Sequence, residues 1–177
     1  MKKIISDIYL QEQIKLHQNK NYGTASKKHA PNIKKIMLDN NLKSISDFGA
    51  GKKYLQNNLH NLNFTDFEYY PYDPVFDDYG LPQPADLVCC IDVMEHVEEE
   101  YTDNVLDEIK NITLKFVYFS ISIRPAGKLL SDGTNAHINI KMPRWWITKL
   151  CSRFNINFMT LTDNGTGFIV ICHKLTE

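Results

Sequence analysis

The chain has 177 residues, of which 43% are hydrophobic and 23% charged, so it is expected to form one globular domain without a membrane span. The formal net charge of −1 hides a partition: residues 1–60 hold eleven lysines and four acids, 61–109 fourteen acids and no basic residue, and 110–177 nine basic residues and three acids. The net charge therefore gives no support for nucleic acid as a partner, whereas the basic C-terminal part could bind an anionic substrate.

Hydrophobic periodicity predicts alternating helices and strands. In chain order, helices are predicted over Ile4–Asn19, Lys27–Asn40, Lys52–Leu62, Thr102–Thr113 and Pro143–Cys151, and strands over Ile45–Phe48, Phe67–Tyr72, Asp86–Ile91, Phe116–Ile123, Ile156–Leu161 and Gly167–Cys172. The last two strands are joined by a turn at Asp163-Asn164-Gly165, which is typical of an antiparallel hairpin. The pattern predicts an α/β fold with a compact, doubly wound, mostly parallel sheet that ends in this hairpin.

The most informative motif is Ser46-Asp47-Phe48-Gly49-Ala50-Gly51, between a predicted strand and a predicted helix. Gly49 and Gly51 permit positive φ and close approach of a ligand, and the helix start offers free N–H groups to an anion. Asp47 suits a ligand that carries an ammonium group. Tyr54 stands where dinucleotide-binding folds have a third glycine, which counts against a nicotinamide oxidoreductase. The alternative is that both glycines only shape a structural turn.

Two further segments accompany this turn. Asp73 ends a predicted strand 22 residues after Gly51, where such folds place an acid that accepts hydrogen bonds from ribose hydroxyls, although an acid before Pro74 also suits an ordinary turn. Asp86 opens the next strand, which leads into Asp92-Val93-Met94-Glu95-His96-Val97. The three motifs in this order resemble class I S-adenosylmethionine (SAM)-dependent methyltransferases.

A closer resemblance is to small stand-alone methyltransferases of bacteria and bacteriophages. It rests on Tyr22-Gly23-Thr24-Ala25-Ser26, Tyr72-Asp73-Pro74, Arg124-Pro125-Ala126-Gly127-Lys128 and Asp132-Gly133-Thr134-Asn135-Ala136-His137. The resemblance implies a single methyltransferase domain over residues 1–177, with N-terminal helices and a candidate lid in 1–42 and a SAM-binding core in 43–177. The implied cofactor is SAM, and the implied binding residues are Asp47, Gly49, Gly51, Asp73, Ile91 and Asp92, with Tyr22 and Gly23 over the ligand.

One departure from the family concerns the segment between the second and third strands. Only twelve residues separate Asp73 from Asp86, so one helix and one strand of the usual fold are expected to be reduced or missing. The adenine contacts that this strand normally supplies stay unassigned.

The candidate catalytic residues are Glu95, His96 and His137. Asp92, Glu95 and His96 share one side if a helical turn begins at Asp92, and His137 follows the next strand. Four such side chains would suit Mg²⁺ or Mn²⁺, similar to the arrangement in small-RNA 3′-terminal ribose methyltransferases. The alternative is a metal-free catalytic or substrate-binding role for His137.

The expected reaction is transfer of a methyl group to a hydroxyl of a small-molecule or nucleotide-type substrate. Arg124 and Lys128 are the candidate residues for an anionic group of that substrate. The alternative is a SAM-binding sensor or partner subunit without transfer activity. Four cysteines without a C-x-x-C pair predict reduced, packed thiols in the cytoplasm; the sequence does not predict an oligomeric state.

Overall fold

The structure, a computed structural model, describes residues 2–162 and 165–175. Its α-helices are α1 (Asp7–His17), α2 (Ala30–Asp39), α3 (Tyr54–Asn61), α4 (Thr102–Ile112) and α5 (Pro143–Cys151). Its strands are β1 (Ser44–Phe48), β2 (Glu68–Tyr72), β3 (Ala85–Ile91), β4 (Thr113–Ser122), β5 (Phe154–Thr162) and β6 (Gly167–Lys174). None of the helices in these residues has the length and apolar character needed to cross a membrane.

The strands form one sheet in the order β2-β1-β3-β4-β6-β5. Strands β1 to β4 are parallel, and β6 runs antiparallel to both β4 and β5. This arrangement confirms the predicted mostly parallel sheet with an antiparallel hairpin at its end. Two residues of the predicted hairpin turn, Asp163 and Asn164, lie outside the described residues.

Both faces of the sheet are covered, as the doubly wound prediction requires. Successive side chains of a strand point to opposite faces, so Cys89 and Cys90 of β3 enter two different hydrophobic clusters. One cluster contains α2 and α3 residues, and the other contains α4 and α5 residues with Trp146 at its centre. All four cysteines are unpaired thiols, but Cys151 is exposed, so the prediction of four packed thiols is wrong at that position.

The segment between β2 and β3 is reduced, as predicted. It contains a single 3₁₀ turn, Asp77–Tyr79, and no further strand, so β2 is an edge of the sheet. The twelve residues between β2 and β3 contain no α-helix, so this turn and its flanking loop make the crossover from β2 past β1 to β3.

Three of the predicted helices begin differently in the structure. Helix α1 begins at Asp7 because Ser6 caps it, accepting a hydrogen bond from the backbone N–H of Tyr9 at 3.1 Å. The second predicted helix is divided into a 3₁₀ turn, Ala25–His29, and α2, with Pro31 in the first turn of α2. Helix α3 begins at Tyr54, later than predicted, because Lys53 adopts a left-handed conformation with φ of +57°.

Candidate active site

A cavity of about 720 Å³ opens at the carboxyl ends of the parallel strands. Its walls come from the turns that follow β1, β2, β3 and β4, from the start of β6, and from the N-terminal residues before and within α1. Ligands of open α/β sheets bind in this position, and the volume is in the range of cofactor sites.

The turn after β1 is fixed by the neighbouring strand. The N–H groups of Gly49 and Ala50 both donate to the carbonyl of Tyr72, at 2.8 and 3.0 Å. Gly49 has φ of +82°, and a Cβ at this position would lie 2.3 Å from Cγ2 of Val93. A glycine is therefore required here both by backbone conformation and by packing against the turn after β3.

Asp73, at the end of β2, is tied to the same turn. Its Oδ2 accepts from the N–H of Gly51 at 2.9 Å, and its Oδ1 accepts from the N–H of Val75 at 2.9 Å. Burial raises the pKa of Asp73, while the hydrogen bond from Val75 and the nearby His17 act in the opposite direction. Because a carboxylate oxygen accepts more than one hydrogen bond, both oxygens retain capacity for a ligand.

Asp47 lies in the cavity wall at the end of β1 and is only 2% exposed. The Tyr69 hydroxyl on β2 donates to its Oδ2. Burial raises the pKa of Asp47 to about 7, although the Tyr69 hydrogen bond lowers it. The carboxylate is therefore poised between its charged and neutral forms near neutral pH, and a cationic group in the cavity would favour the charged form. Ile91 of β3 lines the same cavity.

The segment after β3 does not form the predicted helical turn at Asp92. Asp92 has φ of +52°; its N–H donates to the Ser120 carbonyl at 2.8 Å, and its Oδ1 accepts from the Ser120 hydroxyl at 2.6 Å. A 3₁₀ turn begins only at Met94. As a result Asp92 and His96 line the cavity, while Glu95 is fully buried outside it.

Glu95 holds backbone segments together behind the site. Its Oε1 accepts from the N–H of Ser122 at 2.9 Å, at the end of β4, and its carbonyl accepts from the N–H of Asn139 at 3.0 Å. Burial raises the pKa of Glu95 well above its ordinary value, which favours the neutral acid. The sequence predicts a catalytic role for Glu95; the structure places its side chain outside the cavity, where it holds the end of β4 next to His96.

His96 and His137 meet at the cavity, with ring centroids 4.7 Å apart and an interplanar angle of 85°. Nδ1 of His96 lies 2.9 Å from the Ala136 carbonyl, and Nδ1 of His137 lies 2.6 Å from the Arg124 carbonyl. A carbonyl only accepts, so Nδ1 carries a proton in both rings, and in the neutral form of each ring the lone pair is on Nε2. Burial, with a smaller effect of His137, lowers the pKa of His96 to about 3, so His96 is neutral.

The loop between β4 and α5 carries His137, Arg124 and Lys128 to the cavity. Asn135 holds this loop in shape: its Oδ1 accepts from the N–H groups of Ala126 and His137 at 2.8 and 2.9 Å, and its Nδ2 donates to the Ala126 carbonyl at 2.9 Å. The Arg124 and Lys128 side chains are exposed at the rim and pair with no carboxylate in the part of the chain that the structure describes.

The four side chains expected to bind Mg²⁺ or Mn²⁺ do not form a ligand set. Within residues 2–162 and 165–175 no group of three or more metal-ligating side chains is close enough to hold an ion. Glu95 is directed away from the cavity, and Asp92 is engaged by Ser120. His96 and His137 remain as a pair of imidazoles.

Tyr22 and Gly23 line the cavity, and Tyr22 is tied to the β1 turn; their role as a lid stays a prediction. The Lys52 ammonium donates to the carbonyls of Asn19 and Tyr22, at 2.6 and 3.2 Å. His17, at the end of α1, is a further cavity residue that the sequence analysis missed. In sequence it resembles an ordinary basic residue in the last turn of a helix, and only its position five residues before Tyr22 pointed to the lid.

Several solved structures with the same fold are methyltransferases. The N-methyltransferase NodS from Bradyrhizobium japonicum WM9, in complex with S-adenosyl-l-homocysteine, matches with a TM-score of 0.59 and 9% identity over 96% of this chain and 100% of NodS. A SAM-dependent methyltransferase from Aquifex aeolicus matches with a TM-score of 0.57 and 14% identity, over 92% of this chain and 97% of that one. The chain has the fold of SAM-dependent methyltransferases.

This methyltransferase fold is shared at low sequence similarity. TnmH matches with a TM-score of 0.60 and 12% identity over 85% of this chain, which spans 55% of the length of TnmH. No protein-family model and no curated protein matches the chain. The similarity therefore concerns the architecture, and the chemistry of the site has to be argued from its residues.

Proposed function

We propose that the chain transfers a methyl group from SAM to a hydroxyl of an anionic small-molecule or nucleotide-type acceptor. The observation that carries the proposal is the division of the cavity. Asp47, Asp73 and the glycine turn line one part of it, at the ends of β1 and β2. The His96–His137 pair lines another part together with Arg124 and Lys128, which pair with no carboxylate among the described residues. A cationic sulfonium donor and an anionic acceptor suit these two parts.

The donor part is suited to the ammonium group and the ribose of SAM. Asp47 binds the ammonium of the methionyl group as a carboxylate, and Asp73 accepts hydrogen bonds from the ribose hydroxyls. Gly49 and Gly51 have positive φ and keep the wall free of side chains, so the donor lies against the backbone. Ile91 and Asp92 are next to the reactive methyl group, and Tyr22 and Gly23 cover the donor.

The transfer step is an in-line displacement. The acceptor oxygen forms a bond to the methyl carbon, the carbon–sulfur bond breaks, and its electron pair stays on sulfur to give S-adenosylhomocysteine. The hydroxyl proton passes to the Nε2 lone pair of His137, whose Nδ1–H is fixed by the Arg124 carbonyl. His96 stays neutral beside it and adds no charge to oppose this protonation.

The acceptor is expected to carry a carboxylate or a phosphate. Arg124 and Lys128 belong to the same loop as His137, and the bonds of Asn135 hold Arg124 and His137 in one arrangement. An anion at the rim would orient the hydroxyl toward His137.

Methyl-labelled SAM supplied with fractionated RNA, DNA, protein and small-molecule pools tests this function. We expect label in an acidic small-molecule or nucleotide fraction, retained on an anion exchanger, with and without a strong chelator. His137→Gln should reduce the label strongly while S-adenosylhomocysteine still binds.

The other outcomes of this experiment contradict particular parts of the proposal. Binding of S-adenosylhomocysteine with no label in any pool would indicate a SAM-binding sensor or partner subunit. Loss of label on chelation would contradict His137 as the base. Label in a neutral or cationic acceptor would contradict the role of Arg124 and Lys128.

A further inference from the structure

We propose that His17 positions the methyl donor by donating a hydrogen bond from Nε2 to a ribose hydroxyl oxygen beside Asp73. The inference rests on the proposed function for the identity of the donor. It assigns to α1 a direct role in the donor site.

Helix α1 is held in place by contacts with the loop after β3 and the loop after β4. The N–H of Ser6 donates to Oε2 of Glu98 at 2.8 Å, and the Tyr9 hydroxyl donates to the Ala136 carbonyl at 3.2 Å. Oε2 of Glu12 accepts from the N–H of Ser131 at 2.8 Å. The last residue of this anchored helix is therefore placed over the cavity in a defined position.

The His17 ring is held on both sides by aromatic rings. Its centroid lies 4.9 Å from that of Tyr22 and 5.4 Å from that of Phe76, with interplanar angles of 88° and 86°. These two contacts fix the plane of the imidazole.

One edge of the ring is placed against two glycines. Cε1 of His17 lies 3.3 Å from the Cβ position of Gly51 and 3.6 Å from that of Gly23, and both glycines have positive φ. The lid and the β1 turn therefore close around this edge of the imidazole, and a side chain on Gly51 would press on it.

The two ring nitrogens are in different surroundings. Nδ1 is buried without a hydrogen-bond partner among the described residues, whereas the ring as a whole lines the cavity. A buried N–H without an acceptor is more costly than a buried lone pair, so the proton belongs on Nε2. Burial lowers the pKa of His17, which keeps the ring neutral with this single N–H.

Asp73 and His17 complement each other as partners of a hydroxyl group. Both side chains lie against Gly51, whose N–H donates to Oδ2 of Asp73 at 2.9 Å and whose Cβ position is 3.3 Å from Cε1 of His17, so they line the same part of the cavity. A ribose hydroxyl donates its hydrogen to one group and accepts from another. Asp73 supplies only acceptors, and the Nε2–H of His17 supplies the donor.

Isosteric variants test the assignment through the affinity for S-adenosylhomocysteine, measured by titration calorimetry. The amide nitrogen of Gln occupies the position of Nε2, and that of Asn the position of Nδ1. We expect His17→Gln to bind within about threefold of the wild type and His17→Asn and His17→Phe to bind about tenfold or more weakly. Equal affinity of the Phe variant and the wild type would overturn the proposal, as would rescue by Asn instead of Gln.

A change of ligand separates hydrogen bonding from packing. S-adenosylhomocysteine with a 2′,3′-dideoxyribose lacks the hydroxyls, so wild type and His17→Phe should bind it equally. A loss of the same size for both ligands would show a purely structural role and overturn the proposal. If wild-type protein binds neither ligand, the proposed donor itself is wrong, which is a different failure from that of His17.

Discussion

The two parts of the cavity are built in different ways. On the donor side the backbone determines the geometry: Gly49 and Ala50 bond to the carbonyl of Tyr72, and the N–H of Gly51 bonds to Asp73. On the acceptor side the loop between β4 and α5 is shaped by the Asn135 side chain, with three hydrogen bonds.

This difference separates what is general in the fold from what is particular to the chain. The fold is shared with NodS and the Aquifex aeolicus methyltransferase at identities of 9% and 14%, and a turn defined by strand ends and positive φ depends on that backbone more than on particular side chains. A loop defined by one amide side chain can change its shape with a single substitution. We expect donor binding to depend on the backbone turn and acceptor binding to depend on Asn135.

The largest effect is expected for Gly49→Ala. Gly49 has positive φ, and the new Cβ would lie 2.3 Å from Cγ2 of Val93. Together these predict a loss of about 2–5 kcal/mol in the free energy of unfolding and loss of donor binding. Denaturant unfolding and calorimetry with S-adenosylhomocysteine measure the two effects.

Gly133→Ala is the matched control for Gly49→Ala. Gly133 has φ of +85°, close to the +82° of Gly49, but nothing lies within 4 Å of its Cβ position. Only the backbone strain should remain, about 1–2 kcal/mol, with donor affinity unchanged. Equal losses of stability in both variants would show that contact with Val93 does not matter.

A smaller and more selective effect is expected for Asn135→Ala. The variant lacks the three hydrogen bonds of the Asn135 side chain, so the loop that carries His137 and Arg124 loses its shape. We expect kcat/KM for the acceptor that receives the label to fall about 10- to 100-fold. Affinity for S-adenosylhomocysteine should stay within twofold. Asp132→Ala at the loop tip is the control: it removes only bonds to Thr134, so kcat/KM should change less than threefold. Reduced affinity of Asn135→Ala for S-adenosylhomocysteine would contradict the separation of the two parts.

The sequence predicted the backbone of the β1 turn and the short β2–β3 connection well because local backbone rules determine both. Two glycines after a buried strand predicted the positive φ values, and the short connection to Asp86 predicted the reduced region beside β2. The roles of Asp47 and Asp73 toward SAM stay predictions, although both residues lie in the cavity wall.

The rest depends on contacts between distant residues, which spacing does not reveal. Asp92 leaves the helical region because Ser120, 28 residues away, engages both its N–H and its carboxylate. Glu95 then points to the N–H of Ser122 and away from the cavity. His17 reaches the β1 turn only through the position of α1, which is held by contacts with Glu98, Ser131 and Ala136.

The smallest effect concerns the pH dependence of donor binding and tests how far the donor side relies on a side-chain charge. Because burial raises the pKa of Asp47 to about 7, its ionised fraction rises with pH through neutrality. If the carboxylate binds the ammonium, affinity for S-adenosylhomocysteine should increase roughly eightfold from pH 6 to pH 7.5 and be independent of pH in Asp47→Asn. Tyr69→Phe removes a hydrogen bond that favours the charged form, so the midpoint should move to higher pH. A midpoint that moves lower, or a wild-type affinity that is flat over this range, would mean that the backbone turn alone binds the donor.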